Sequence, residues 1–299
     1  MRISAVGTAL PEHYYPQEEI LAEFQQVWGE RLDNPKLLER LHSNVRVGGR
    51  HLALPKSEYS KLDSFGASNS AYQRCAVELG ERALRDALER AGLPIAAVRH
   101  LFSVSVTGIA VPPLDARLVN RLGLREDIRR TPIFGLGCVA GAAGIARAAD
   151  YLRAYPDQVA VLLSIELCSL TLQLDDLSVP NLIACSLFGD GAAAVVLTGS
   201  ELPGEGPEVL DSRSVFFPHT EDAMGWDIDE RGFRVVLSGE VPSLARGIRP
   251  HVDAFLAEHG LVLKDVESFV CHPGGPKVLD AFEEALERPR EAFELSWKS

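Results

Sequence analysis

The stretch Thr131-Pro-Ile-Phe-Gly-Leu-Gly-Cys138-Val-Ala-Gly-Ala-Ala-Gly-Ile-Ala146 decides how this chain folds. Ile133 and Phe134 read as strand, Gly135 and Gly137 as a turn, and the residues after Cys138 as a helix. That helix carries Val139, Ala140, Ala142, Ala143, Ile145, Ala146, Ala148 and Ala149. A helix apolar on nearly every side is expected to be buried. The run Gly141-Ala-Ala-Gly144 suits close approach of other backbone, which offsets a helix cost of about 1 kcal/mol per glycine. Cys138 then stands in the first turn of a buried helix, beside unpaired N–H groups and the positive end of the dipole. Such a position lowers a thiol pKa from about 8.5 toward neutrality and prepares a nucleophile. A lone cysteine is equally at home as an inert buried hydrophobe, so its role depends on the rest of the chain.

The 299 residues are 46% hydrophobic and carry a net charge of -12. An acidic chain offers no basic footprint for nucleic acid or an anionic membrane. The amino terminus has too short an apolar run for a signal peptide, and nowhere do about 18 consecutive apolar residues occur, so the reading is a cytoplasmic protein without stable membrane insertion. Five cysteines, Cys75, Cys138, Cys168, Cys185 and Cys271, show no Cys-x-x-Cys spacing. They are expected to be reduced thiols, with neither a disulfide framework nor a metal site.

Strands are expected at Ile3 to Gly7, Leu101 to Val106, Val159 to Ile165 and Ala192 to Leu197. Helices are expected at Gln17 to Trp28, Lys36 to His42 and Ser68 to Ala91, with surface loop from Val45 to Ser64. Laying Ala83 to Val104 over His251 to His272 pairs Leu88 with Leu256, Gly92 with Gly260, Leu93 with Leu261, Val98 with Val266 and Phe102 with Val270. A shared Gly-Leu pair flanked by apolar matches indicates a duplicated helix-turn-strand unit and two similar halves. The halves meet near residue 200, at the polar connector beginning Leu202-Pro-Gly-Glu, giving 1–200 and 201–299. Strands alternating with long helices make the fold α/β and layered. Only 27 residues follow His272, so the second half is expected to be incomplete, lacking its final helix and strand.

A strand in the second half is expected to end at His272, within Ser268-Phe-Val-Cys-His272-Pro-Gly-Gly-Pro276. Pro273 and Pro276 restrict the backbone there and fix the direction of the imidazole. Together Gly137-Cys138-Val-Ala-Gly, Leu187-Phe188-Gly-Asp-Gly-Ala-Ala and His272-Pro-Gly-Gly-Pro resemble the nucleophile, gatekeeper and histidine motifs of the type III polyketide synthases. These are the chalcone-synthase-like branch of the thiolase superfamily, and the likeness runs along nearly the whole chain. It implies a thiolase-like αβαβα fold, a homodimer, acyl-CoA and malonyl-CoA as substrates, and no bound cofactor or metal. Glu166-Leu-Cys168-Ser-Leu-Thr171 resembles bacterial members that make alkylpyrones or alkylresorcinols from long-chain acyl starters. On that resemblance Cys168 and Thr171 line the elongation cavity, Phe188 is a gatekeeper, and Val111 reaches into the neighbouring subunit's cavity. The second gatekeeper matches Phe233 or Val235, according to gap placement. Lys36 and Arg40 fall near the place where the family binds coenzyme A phosphates, though a solvated helix face accounts for them as well.

The resemblance also implies a mechanism. Cys138, ionised beside His272, takes the starter as a thioester, and decarboxylated malonyl-CoA attacks it. The family's third catalytic residue is an asparagine following a segment like Leu295-Ser-Trp-Lys-Ser299, so the 299 residues are expected to condense malonyl-CoA poorly. Two alternatives stand beside this reading. A β-ketoacyl carrier-protein synthase III shares the fold, but resembles His-Gln-Ala-Asn where this chain has His272-Pro-Gly-Gly. A non-catalytic, truncated acyl-binding paralogue would suit the missing end but not the retained Cys138, His272 and Phe188.

Overall fold

The computed structural model describes residues 1–298. Its centre is a five-stranded mixed sheet in the order Arg2–Ala9, Asp190–Thr198, Val159–Leu167, Val98–Val104, Arg129–Ile133. The first three strands pair antiparallel, and the last two join in parallel to Val159–Leu167 and Val98–Val104 respectively. Both faces of Val159–Leu167 are covered, as its near-continuous apolar run requires. Val161, Leu163, Ile165 and Leu167 pack with the long helix Phe65–Ala91, while Ala160 and Leu162 pack with the helix Ala140–Ala154. This period-two division produces the expected α/β layering.

The long helix begins at Ser64, whose side chain accepts a hydrogen bond from the Ala67 N–H at 3.2 Å, which satisfies one orphan donor of its first turn. It ends at Gly92, in the left-handed region with φ 64°. There the Leu93 N–H bonds the Leu88 carbonyl at 3.0 Å, and a 3₁₀ turn Ile95–Ala97 leads into the strand Val98–Val104. The second half repeats this corner, though without the strand after it. The helix Arg249–Glu258 leads to Gly260 at φ 69°, the Leu261 N–H bonds the Leu256 carbonyl at 3.0 Å, and a 3₁₀ turn Leu263–Asp265 follows. Glycine suits both corners because a Cβ makes the left-handed conformation costly.

Three expectations change here. The residues before His272 form no strand: Phe269 N–H bonds the Ala292 carbonyl at 2.7 Å and Cys271 N–H bonds Ser296 Oγ at 2.8 Å. Among the described residues this segment has no neighbouring strand to complete a ladder, so helix-end groups satisfy its backbone instead. The Val45 to Ser64 region is not all surface loop, since Gly49–Leu52 pairs antiparallel with His13–Pro16 and buries Arg50. The helix after Cys138 is buried on one face only. Ala140, Gly144, Ala148, Ala149 and Leu152 face the sheet, whereas Val139 and Phe134 are 58% and 56% exposed. At Gly144 an added Cβ would lie 2.5 Å from Leu162 Cδ1, so the small residues serve close helix-to-sheet packing on that one side. Ser299 lies outside the described residues, and the segment before it forms the short helix Glu294–Lys298.

Candidate active site

Cys138 lies in the 3₁₀ turn Gly137–Val139, between the strand Arg129–Ile133 and the helix Ala140–Ala154. The residue is exposed, yet neighbouring protein desolvates the thiol and, with the Glu166 carboxylate, pushes it above its ordinary range. Water reaching an exposed residue limits that rise. The direction is opposite to the lowered thiol expected from the helix end. Desolvation and a nearby anion outweigh the helix dipole, whose influence fades within the first turn.

Glu166 stands at the end of the strand Val159–Leu167. Its two oxygens accept from the Val106 N–H at 3.0 and 3.1 Å, and Oε2 also accepts from Thr107 Oγ1 at 2.7 Å and Ser105 Oγ at 3.4 Å. Burial pushes its carboxyl up to about 7 against these stabilising bonds. Both Glu166 and Cys138 lie near enough to Cys168 to help raise its thiol, which burial places well above the ordinary range.

Cys168 opens onto a cavity of about 240 Å³. Thr171, Phe188, Arg50, Trp226 and Val235 also line it, with Lys56 and Glu23 in its wall. Two sequence elements place Phe188. The helix Val179–Leu187 ends just before it, and Asp190, two residues on, begins the strand Asp190–Thr198. Asp190 accepts from the Ala53 and Ser169 N–H groups at 2.6 and 2.8 Å, and from the Ser169 hydroxyl. Its own burial pushes its carboxyl up to about 6.

His272 occupies the turn before the helix Pro276–Leu286. The Gly274 N–H donates to the His272 carbonyl at 2.9 Å, and Gly275 lies against Leu187, where an added Cβ would be 3.6 Å from Leu187 Cδ2. The histidine turn of the second half is thereby seated beside the Phe188 segment of the first. Burial lowers the imidazole pKa, so the ring is neutral at pH 7. Among the described residues no hydrogen bond or ion pair joins His272 to Cys138. Burial disfavours both a Cys138 thiolate and a His272 imidazolium, the opposite direction to the ionised Cys138 expected from the sequence.

Residues 1–201 match the family described as chalcone and stilbene synthases, N-terminal domain. Over 304 aligned residues the chain is 47% identical to a 1,3,6,8-tetrahydroxynaphthalene synthase of Streptomyces peucetius subsp. caesius, spanning 99% of this chain and 80% of that protein. The chain belongs to the chalcone and stilbene synthase family. It is 32% identical to a phloroglucinol synthase of Pseudomonas fluorescens, over 90% of this chain and 77% of that one. The crystal structure of 1,3,6,8-tetrahydroxynaphthalene synthase from Streptomyces coelicolor, a bacterial type III polyketide synthase, superimposes with a TM-score of 0.92 at 33% identity, covering 98% of this chain and 84% of that one. This protein is thus a type III polyketide synthase homologue of α/β fold.

Within this family frame, Cys168, Thr171 and Phe188 line one cavity, and Cys138 lies near Cys168. Val111 lies elsewhere, 88% exposed and beside a second cavity of about 380 Å³. Phe233 is 3% exposed, packed edge-on between Phe65 and Trp226, whereas Val235 lines the Phe188 cavity. Lys36 and Arg40 are exposed on the helix Lys36–Asn44. Sequence reasoning gave no role to Glu166, Asp190 or Arg50. For the two acids the signal was present, since each ends or begins an apolar strand where a charge needs donors. Arg50 gave none, because Gly-Arg-His-Leu carries no periodicity.

Proposed function

We propose that this protein is an acyltransferase that loads an acyl-CoA starter onto Cys138 and extends it by decarboxylative condensation with malonyl-CoA. The single observation that carries this reading is the continuity of the site. Cys138 lies near Cys168, Cys168 shares a cavity with Phe188, and the His272 turn rests on Leu187 next to Phe188. Neutral His272 takes the Cys138 proton as the sulfur attacks the thioester carbonyl, and the coenzyme A thiol leaves with a proton. Malonyl-CoA then loses carbon dioxide, and the resulting enolate carbon attacks the Cys138 thioester, returning the sulfur as thiolate. Repetition builds a poly-β-keto chain that closes to a ring in the cavity, with Cys168, Thr171 and Phe188 limiting its length. No metal or redox cofactor enters these steps.

A cytoplasmic homodimer suits the exposed Val111, which then enters the partner's cavity. The wall formed by Ile20, Phe24, Val27, Leu172 and Leu174 favours a second reading of the starter. There a long-chain fatty acyl group lies along that wall, and the products are alkylpyrones or alkylresorcinols. The test separates loading from condensation. Incubation with acyl-CoA thioesters from two to sixteen carbons, on the order of the range an apolar pocket discriminates, is followed by intact mass and peptide mapping. Malonyl-CoA is then added and products are read by mass. An adduct on Cys138 and malonate-derived products are expected. An adduct confined to Cys168 or Cys185, or none at all, refutes the reading.

A further inference from the structure

Arg50 carries a buried charge whose donors are only partly used. The residue is 7% exposed, on the strand Gly49–Leu52, and it lines the Phe188 cavity. Both of its hydrogen bonds leave from Nη1, to the backbone carbonyls of Cys185 and of Phe188, the latter at 3.0 Å. Nε is buried with no partner, and among the described residues the hydrogen bonds of Arg50 leave Nη2 unused. A guanidinium has five N–H donors, and leaving the buried Nε–H unpaired is costly.

Asp190 does not meet this need. It acts on Arg50 through space, but its oxygens are engaged by Ala53 and Ser169, and no ion pair joins the two among the described residues. A role confined to holding the end of the helix Val179–Leu187 would explain Nη1 alone. It leaves the remaining donors, at the wall of an otherwise largely apolar cavity, without a purpose.

We propose that Arg50 is a substrate-binding residue that holds an acyl-chain oxygen remote from the thioester, so that the cavity selects oxygen-bearing chains over hydrocarbon chains of equal length. The oxygen belongs either to a terminal carboxylate, as in a dicarboxylic starter, or to the keto groups of a growing β-keto chain. Planar, charge-assisted donors serve both. The proposal rests on the reading that the acyl chain on Cys138 enters this cavity.

The test is single-turnover acylation of Cys138 by succinyl-CoA, acetoacetyl-CoA and butyryl-CoA, each with a four-carbon chain, followed by intact mass over a range of concentrations. The wild type is expected to prefer succinyl-CoA, acetoacetyl-CoA or both over butyryl-CoA by roughly 10- to 100-fold in rate over half-saturation, as one hydrogen bond to a charged group allows. Preference for succinyl-CoA alone assigns the oxygen to a carboxylate, and for acetoacetyl-CoA alone to a keto group. In Arg50→Gln the ratio collapses toward unity whatever happens to the absolute rates. In Arg50→Lys, which keeps a cation against the two carbonyls, it falls part of the way. A purely structural Arg50 would slow all three thioesters alike and leave the ratio unchanged, which overturns the proposal. Equal acylation by all three in the wild type overturns it without touching the proposed function. Absence of any Cys138 adduct refutes both.

Discussion

Replacing Glu166 by Gln tests the electrostatics of the site. The carboxyl sits at about 7 against a reference of 4.5, with burial as the largest cause. A shift of that size corresponds to roughly 3 kcal/mol, an upper figure because Glu166 retains some solvent contact. The sign is the reverse of the usual acidic residue. Between pH 4.5 and 7 the folded protein binds a proton that the unfolded chain has released, so this contribution is complete below the unfolded value and is lost as pH rises through the folded one. Asp190, pushed up to about 6 from 3.8, acts in the same direction, but it is present in both proteins and cancels from their difference. Urea unfolding across pH 4.5 to 8 is therefore expected to show Glu166→Gln gaining on the wild type as pH rises, by up to about 3 kcal/mol. The same substitution removes an anion that holds the Cys138 thiol up, so iodoacetamide should alkylate Cys138 faster in the variant at pH 8. A stability difference that stays constant with pH would show that Glu166 titrates in the ordinary carboxylate range, and the reasoning would fail.

Iodoacetamide is also expected to label Cys138 before Cys168 or Cys185, because burial lifts Cys185 to about 12 and Cys168 well above the ordinary range; peptide mapping that finds the opposite order would count against the exposed-nucleophile reading. Cys168→Phe should narrow the accepted starters to shorter chains while Cys138 still acylates, since added bulk in a cavity rejects length rather than chemistry; an unchanged starter profile would remove Cys168 from the cavity's control of length. Gly92→Ala and Gly260→Ala should each lower stability by about 1 to 2 kcal/mol in urea, the cost of a Cβ in the left-handed region; a loss at Gly92 alone would deny the second corner its structural role.

The sheet and its long helices were legible because strong local signals agree with burial. The Asp190–Thr198 and Val159–Leu167 strands are near-continuous apolar runs, and the helix Phe65–Ala91 has a clear period and a glycine stop. The repeat was legible as a matched Gly-Leu pair because a left-handed corner leaves a residue-specific mark. What failed depended on neighbours rather than on the segment itself. A strand before His272 needs another strand beside it, and the exposure of Val139 depends on what covers the helix after Cys138. Arg50 was unreadable for the same reason. Its significance lies in the carbonyls of Cys185 and Phe188, some 135 or more positions along the chain, and in the donors they leave over.

The motifs point to a cysteine and a histidine as the reacting groups, and the structure bears on their resting charges. A helix start and a histidine suggested a standing thiolate and imidazolium. Instead, desolvation raises the Cys138 thiol and lowers His272, while Glu166 adds a negative field that disfavours the thiolate further. Both shifts favour neutral sulfur and imidazole, so forming the nucleophile calls for a proton acceptor at the thiol. That requirement has a chemical use. A protonated thiol is a poor target for oxidants and stray electrophiles, so Cys138 can stay exposed to incoming thioesters without being consumed between turnovers. It also gives Glu166 a graded influence, because a carboxyl that titrates near 7 changes the field at Cys138 within the working pH range. Acidifying from pH 8 to 6 should thus lower the thiol pKa through Glu166 while depleting the thiolate directly. The alkylation rate should then fall less than tenfold per pH unit across that interval in the wild type, and closer to tenfold in Glu166→Gln.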